Sequence, residues 1–315
     1  MDRPFRLRRC ILSVPGNREK MLAKARNIAV DVLMFDLEDS VPVDEKARAR
    51  QMISECLLEE EKWASGSRSV RINPMDSPYA YRDIVDVVER AGKAIDTIVI
   101  PKVNHPCEVK AVDYILTQIE RSVGLPDGKI GLEASIETAE GLLRVKEIAF
   151  SSERLETLVF GIADYAASVG AMTRGVSGHG EAEEFYPGHR WHFPLSRMIM
   201  AAKAAGLAAI DAPYGNYKDP DGLRKSCLLA AALGCDGKWA IHPDQISIIE
   251  EVFSPGEEDV ERSRRIIEAY EVSKKEGKGS FSLDGKMIDG ASLRIAMKIN
   301  TYAELMKTRQ RGSEK

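Results

Sequence analysis

Two carboxylates, Glu137 and Asp164, stand where an apolar, strand-like run breaks into the small-residue start of a helix. The runs read Gly131-Leu-Glu-Ala-Ser-Ile-Glu137 and Leu158-Val-Phe-Gly-Ile-Ala-Asp164. A carboxylate that ends a buried strand points into the mouth of a barrel or sheet, and two converging there make a site for a hard cation such as Mg²⁺. Packing alone requires no such pair. The chemistry implied is that of an enzyme.

Other polar residues follow the same punctuation. Asp36-Leu-Glu38-Asp39 comes after the second apolar run, Arg71-Ile-Asn73-Pro74 after the third and Pro101-Lys102 after the fourth. Asp211 ends the seventh, and His242-Pro243 follows the eighth. Three or four carboxylates with one arginine and one lysine suit a cation that binds a dianionic, oxygen-rich substrate. Each residue also has a plainer reading. Asp39 could cap a helix, Glu137 could favour a helix N-terminus, and His242 could be a satisfied core histidine. Lys102 could be a rim charge or a Schiff-base lysine. Arg71 is harder to dismiss, because an arginine that interrupts an apolar strand must find an anion.

The elements that must position these groups alternate along the chain. Short β-branched runs at 10–14, 32–35, 69–72, 97–100, 130–136, 157–162, 208–210 and 238–241 predict strands. Amphipathic stretches such as 44–61, 109–119, 139–149 and 222–233 predict helices between them. Eight strands with seven intervening helices favour closure into an α/β barrel, the (β/α)8 or TIM fold, over an open doubly wound sheet. The first turn, Pro15-Gly16-Asn17-Arg18, lacks the GxGxxG of a dinucleotide site. Residues 174–192 form a long polar, Gly-rich stretch expected to be a loop on the catalytic face. A charged helix at 257–275, a tight turn at Asp284-Gly285 and a last helix at 291–307 follow the barrel. The expected division is a catalytic barrel over 1–253 and a C-terminal helical extension or lid over 254–315.

Bulk properties exclude several classes. The net charge of −4 and the absence of a Lys/Arg stripe interleaved with aromatics argue against nucleic-acid binding. No apolar stretch reaches the roughly 20 residues of a membrane helix, and the first ten residues, four of them arginines, lack a signal core. Five scattered cysteines without CxxC spacing suggest reduced thiols in a cytoplasmic protein.

The ordered motifs resemble those of the citrate lyase β-subunit-like branch of the HpcH/HpaI aldolases, most closely the malyl-CoA/β-methylmalyl-CoA lyases. They are Ser13-Val-Pro-Gly-Asn-Arg18, Asp36-Leu-Glu-Asp-Ser40, Arg71-Ile-Asn-Pro74, Ile100-Pro-Lys-Val103 and Ile136-Glu-Thr-Ala-Glu-Gly141. Gly161-Ile-Ala-Asp-Tyr-Ala-Ala-Ser168, Gly237-Lys-Trp-Ala-Ile-His-Pro243 and Asp284-Gly-Lys-Met-Ile-Asp289 complete the set. Arg190-Trp-His-Phe-Pro194 and the long stretch before it favour the lyase branch. The resemblance implies reversible cleavage of a 3-hydroxyacyl-CoA, malyl-CoA or β-methylmalyl-CoA, to acetyl-CoA or propionyl-CoA and glyoxylate. It implies Mg²⁺, or Mn²⁺ in its place, on Glu137 and Asp164, with Arg71 stabilising enolate charge. It further implies Asp289 as the acid–base group acting in a neighbouring subunit of a homotrimer or homohexamer. Coenzyme A would meet Ser13, Arg18 and Lys24, with further substrate contacts at Ala163, Asp164, Ile241 and His242. Related enzymes often carry an aromatic residue at the position of Ser13. A citramalyl-CoA lyase, a malate-synthase-like thioester hydrolysis and a citrate lyase β-subunit-like protein working within a complex are the alternatives.

Overall fold

Eight short parallel strands close on themselves in sequential order, β1 pairing with β2 at one edge and with β8 at the other. They are β1 (Cys10–Pro15), β2 (Val32–Asp36), β3 (Ser67–Arg71), β4 (Thr97–Ile100), β5 (Gly131–Ile136), β6 (Leu155–Phe160), β7 (Ala208–Asp211) and β8 (Gly237–Ala240). The computed structural model describes residues 6–59, 62–171, 190–275 and 281–313. Most of the Gly-rich stretch expected at 174–192 lies outside these residues.

Strands β2, β4, β5, β6 and β8 are buried at every position, since one face lines the barrel and the other meets helices. Val, Ile and Leu make up much of β2, β4, β5 and β6, because branched side chains pack well on a pleated surface with two buried faces. Ile11, Val32, Met34, Val99, Val159, Ile210 and Trp239 make the interior cluster. Alternation along each strand then determines what else points inward: Asp36 follows Met34 by two residues, and Arg71 lies over the Trp239 ring.

The helices behind the strands include Lys46–Leu58, Ala80–Ala91, Pro106–Ser122, His192–Ala204 and Pro220–Leu233. The single helix expected over 139–149 is two, Ala139–Leu143 and Val145–Ala149. Arg197 donates to the carbonyls of Leu142 and Leu143, both at 3.0 Å, taking acceptors that a continuous helix would use.

The N-terminal arginines latch the lower face of the barrel. Arg9 grips Asp31 through Nε at 2.8 Å and Nη2 at 2.7 Å. Arg8 reaches Glu156 at 2.5 Å and lies 3.7 Å from Glu133, all three nearly sealed from solvent. Register between β5 and β6 skips Glu156, so this residue is the extra one of a bulge, re-aimed toward the arginines.

The chain divides into two compact units, Met1–Glu251 and Val252–Lys315. The second unit contains the helices Glu257–Lys275 and Gly290–Ser313 and a hairpin, β9 (Phe281–Leu283) with β10 (Lys286–Ile288). Asp284 and Gly285 have φ of 51° and 72°, the left-handed pair that a two-residue hairpin turn demands. Ile266, Ile288 and Ala296 form its small core.

Candidate active site

The upper, C-terminal end of the barrel collects charge. Asp36 closes β2 without solvent exposure and accepts a fork of hydrogen bonds from Arg71, Nε at 2.6 Å and Nη2 at 2.8 Å. Burial opposes the charge on Asp36, but Arg71, Ser40 and the Glu38 N–H outweigh it and hold the carboxyl below its usual range. Arg71 Nη1 also lies 2.7 Å from Glu38 Oε2, off the line of a hydrogen bond, so this contact is an ion pair only. The other oxygen of Glu38 accepts from Lys102 Nζ at 2.5 Å. Lys102 continues to Asp39 at 3.2 Å and to Asp164 at 3.7 Å. Carboxylates and cations therefore alternate across the mouth, from Asp36 through Arg71, Glu38 and Lys102 to Asp164.

Local chemistry holds the Glu38 loop in place. Buried Lys46 donates to the carbonyls of Leu37 and Glu38 at 2.9 and 3.1 Å. Asn73 Nδ2 donates to the Leu37 carbonyl and to Asp83, which Arg50 neutralises. Lys102 itself has φ of 49°, a left-handed conformation uncommon for a residue with a β-carbon. Its ammonium is stabilised: burial works against the charge, yet Glu38, Asp39 and Asp164 together raise its pKa above the ordinary lysine value. A Schiff-base lysine needs the opposite shift, so the aldolase route through Lys102 finds no support here.

Glu137 follows β5 directly and is 2% exposed, with Oε1 buried and without a hydrogen-bond partner. Burial first, and the Glu38 and Asp164 charges after it, push its carboxyl up to about 8, against the pull of Arg71 and Lys102. Gly161 makes room for it, since a β-carbon there would lie 2.3 Å from Glu137 Cγ. Asp164 stands in the first turn of the helix Ile162–Ser168, its side chain 41% exposed. A buried, orphaned carboxylate beside an accessible one could supply two oxygen ligands to a hard cation. Among the described residues no group of three or more His, Cys, Asp or Glu is arranged to enclose a metal.

The remaining expected residues divide by position. Ser13 is half-buried on the inward face of β1, and Arg18 and Lys24 are exposed beside and in the short helix Glu19–Ala25 that follows. Ala163 and Ile241, both exposed, come after β6 and β8. His242 is no core residue: it caps the turn Pro243–Gln245 and stacks on Tyr217 with ring centres 4.7 Å apart. Asp211 does not face the mouth. With Ile210 pointing inward it alternates outward and pairs with fully buried Lys238 at 2.5 Å. Asp289 lies in the second unit, where it accepts from the N–H groups of Ala291 and Ser292 and begins the last helix.

Residues 9–243 match the HpcH/HpaI aldolase/citrate lyase family. The chain belongs to this family. It is 40% identical over 312 residues to the L-malyl-CoA/β-methylmalyl-CoA lyase of Rhodobacter capsulatus, an alignment spanning 96% of this chain and 97% of that one. The malyl-CoA/β-methylmalyl-CoA/citramalyl-CoA lyase of Chloroflexus aurantiacus is 35% identical, over 96% and 90% of the two chains. CitE of Mycobacterium tuberculosis, solved in complex with magnesium, acetoacetate and coenzyme A, is similar in structure. It has a TM-score of 0.72 and 26% identity, over 94% of this chain and 97% of that one.

Within this HpcH/HpaI chain, the residues that sequence reasoning undervalued are Glu38, Lys46 and Trp239. Glu38 sits two positions after Asp36, in the loop that leaves β2, and that loop sets it against Arg71 and Lys102. Trp239, inside the barrel with Nε1 buried and unpartnered, carries the Arg71 guanidinium 4.9 Å above its ring. Nothing local in Gly237-Lys-Trp-Ala distinguishes that inward indole from an ordinary core residue.

Proposed function

We propose that the protein is a Mg²⁺-dependent carbon–carbon lyase. It would cleave malyl-CoA or β-methylmalyl-CoA reversibly to acetyl-CoA or propionyl-CoA and glyoxylate. The observation that carries this reading is the orphaned Glu137 carboxylate beside Asp164, facing Arg71 across the mouth of a parallel barrel. Kinship at 40% identity to a lyase of that name supports the substrate class.

Glu137 and Asp164 would hold the cation, which supplies Lewis-acid polarisation of the substrate's hydroxyl or keto oxygen, an effect worth several kcal/mol. Arg71 would stabilise negative charge on the thioester enolate. It spends two of its five N–H donors on Asp36 and holds Nη1 against Glu38 as an ion pair, so at most three remain for a substrate oxygen. Asp289 would return a proton to the enolate carbon in cleavage and remove it in condensation. Ser13, Arg18, Lys24, Ala163, Ile241 and His242 would line the path of coenzyme A. Residues 1–253 would form the catalytic domain, and 254–315 an extension serving a neighbouring subunit of a homotrimer or homohexamer. Five free cysteines, four of them buried, support a cytoplasmic location. Among the described residues no helix is long and apolar enough to cross a membrane.

The test is a panel of malyl-CoA, β-methylmalyl-CoA and citramalyl-CoA with Mg²⁺, scored for released glyoxylate or pyruvate. Glyoxylate from the first two is expected. Pyruvate from the third alone would favour the citramalyl-CoA reading, to which the Chloroflexus relative's name lends weight. No cleavage of any free thioester would favour a subunit that works only within a complex.

A further inference from the structure

Lys102 occupies a place that a passive rim charge would not need. It is a non-glycine residue at φ 49°, held just beyond β4. Strain of this kind persists where the side chain is required, since glycine would take the same backbone freely. Its side chain is only 25% exposed, and the ammonium faces three carboxylates at 2.5, 3.2 and 3.7 Å, on Glu38, Asp39 and Asp164. Asp164 belongs at once to this set and to the cation pair with Glu137. The second member of that pair has a buried oxygen with no donor, so Lys102 satisfies one half of the site and leaves the other unmet.

We propose that Lys102 is a tethered counter-ion that competes with the divalent cation for Asp164 and sets how tightly the cation binds. The inference rests on the reading of Glu137 and Asp164 as the cation pair. With the site empty of cation, the ammonium neutralises the accessible carboxylate and keeps the mouth from accumulating uncompensated negative charge. When the cation arrives, Lys102 gives up Asp164 and stays on Glu38 and Asp39, its two shorter contacts. Glu38 is then the anchor that decides where the ammonium rests, because it binds both Lys102 and Arg71. The arrangement makes affinity moderate and the cation exchangeable.

The experiment is a Mn²⁺ titration of the full chain, read by the electron paramagnetic resonance signal of free Mn²⁺, without substrate or turnover. Lys102→Gly removes the ammonium while suiting the left-handed backbone, so it keeps the fold. Its Kd for Mn²⁺ should fall about tenfold, the order expected from deleting one unit charge a few ångströms from a dication in a partly solvated site. Glu38→Gln frees the ammonium to settle on Asp164 and should weaken binding. That weakening should be at least about threefold larger with Lys102 present than in the Lys102→Gly background, because contacting residues couple and independent ones add. An unchanged or weaker Kd in Lys102→Gly, or an identical Glu38→Gln effect in both backgrounds, overturns the proposal while leaving the cation pair intact. Absence of Mn²⁺ binding in the wild-type chain that persists in Lys102→Gly would overturn the cation pair itself, and the proposal with it.

Discussion

Replacing Arg71 by methionine probes the charge circuit most directly. In the wild type Asp36 has no solvent exposure and Glu38 only 3%, and Arg71 is the cation that both touch. Methionine keeps the volume but leaves Asp36 buried without its countercharge. Removing one partner of a buried ion pair costs about 3–5 kcal/mol, so the barrel unit should lose that much stability at neutral pH. The pH dependence follows from Asp36. Its folded-state pKa is lowered, so its contribution is present above the ordinary aspartate value and is lost as pH falls through the folded value. Without Arg71 the burial that now opposes its charge dominates, and the same carboxyl takes up a proton as pH drops. The penalty should therefore be largest near pH 7.5 and shrink toward about pH 4.5, where a buried carboxyl of raised pKa is neutral. Urea unfolding followed by circular dichroism at the two pH values measures the difference. A loss below about 1 kcal/mol, or one equal at both pH values, would refute Arg71 as the shared countercharge. Activity should fall in parallel by roughly 10²–10³, the usual cost of one well-placed donor to a developing oxyanion.

Three further outcomes are expected. EDTA should abolish lyase activity and Mg²⁺ or Mn²⁺ restore it; activity indifferent to the chelator would remove the cation from the mechanism. Asp289→Ala should abolish turnover while Mn²⁺ still binds, and Asp289→Asn, which keeps the cap on the last helix, should be equally inactive if the carboxyl is the acid. Wild-type turnover in either variant would leave Asp289 with its capping role alone. At the opposite face, Arg8→Ala removes the cation in contact with Glu133 and one of the two on Glu156, both carboxylates nearly sealed from solvent, and should cost about 3–5 kcal/mol in urea unfolding without changing KM. A near-neutral result would mean that the neighbouring Arg6 suffices to neutralise Glu156.

All eight predicted runs are strands, each within two residues of the expected limits; burial on two faces leaves a dense aliphatic signal in β2, β4, β5 and β6, and the regular alternation with helices locates the rest. The carboxylates after β5 and β6 were legible for a related reason: a strand's end is marked by where its apolar run stops. Asp211 shows the limit of that rule. It also ends a strand, yet its side chain points outward to Lys238, and only the register that turns Ile210 inward reveals this. Position along a run tells height in the barrel; parity against the neighbours tells inside from outside.

From the chain of residues alone came the alternating β/α order, the acidic pair at 137 and 164, the need of Arg71 for an anion, and the family likeness. All of these are properties of one segment or of its spacing to the next. Tertiary structure decided which anions Arg71 meets, Asp36 and Glu38, and that Lys102 reaches Asp164. It also decided that Glu137 keeps an oxygen without a donor. Those facts depend on distances between side chains dozens of residues apart, set by barrel closure and by loops such as the one Lys46 and Asn73 hold. Local spacing carries no record of such distances, because they arise only when every strand has found its neighbour.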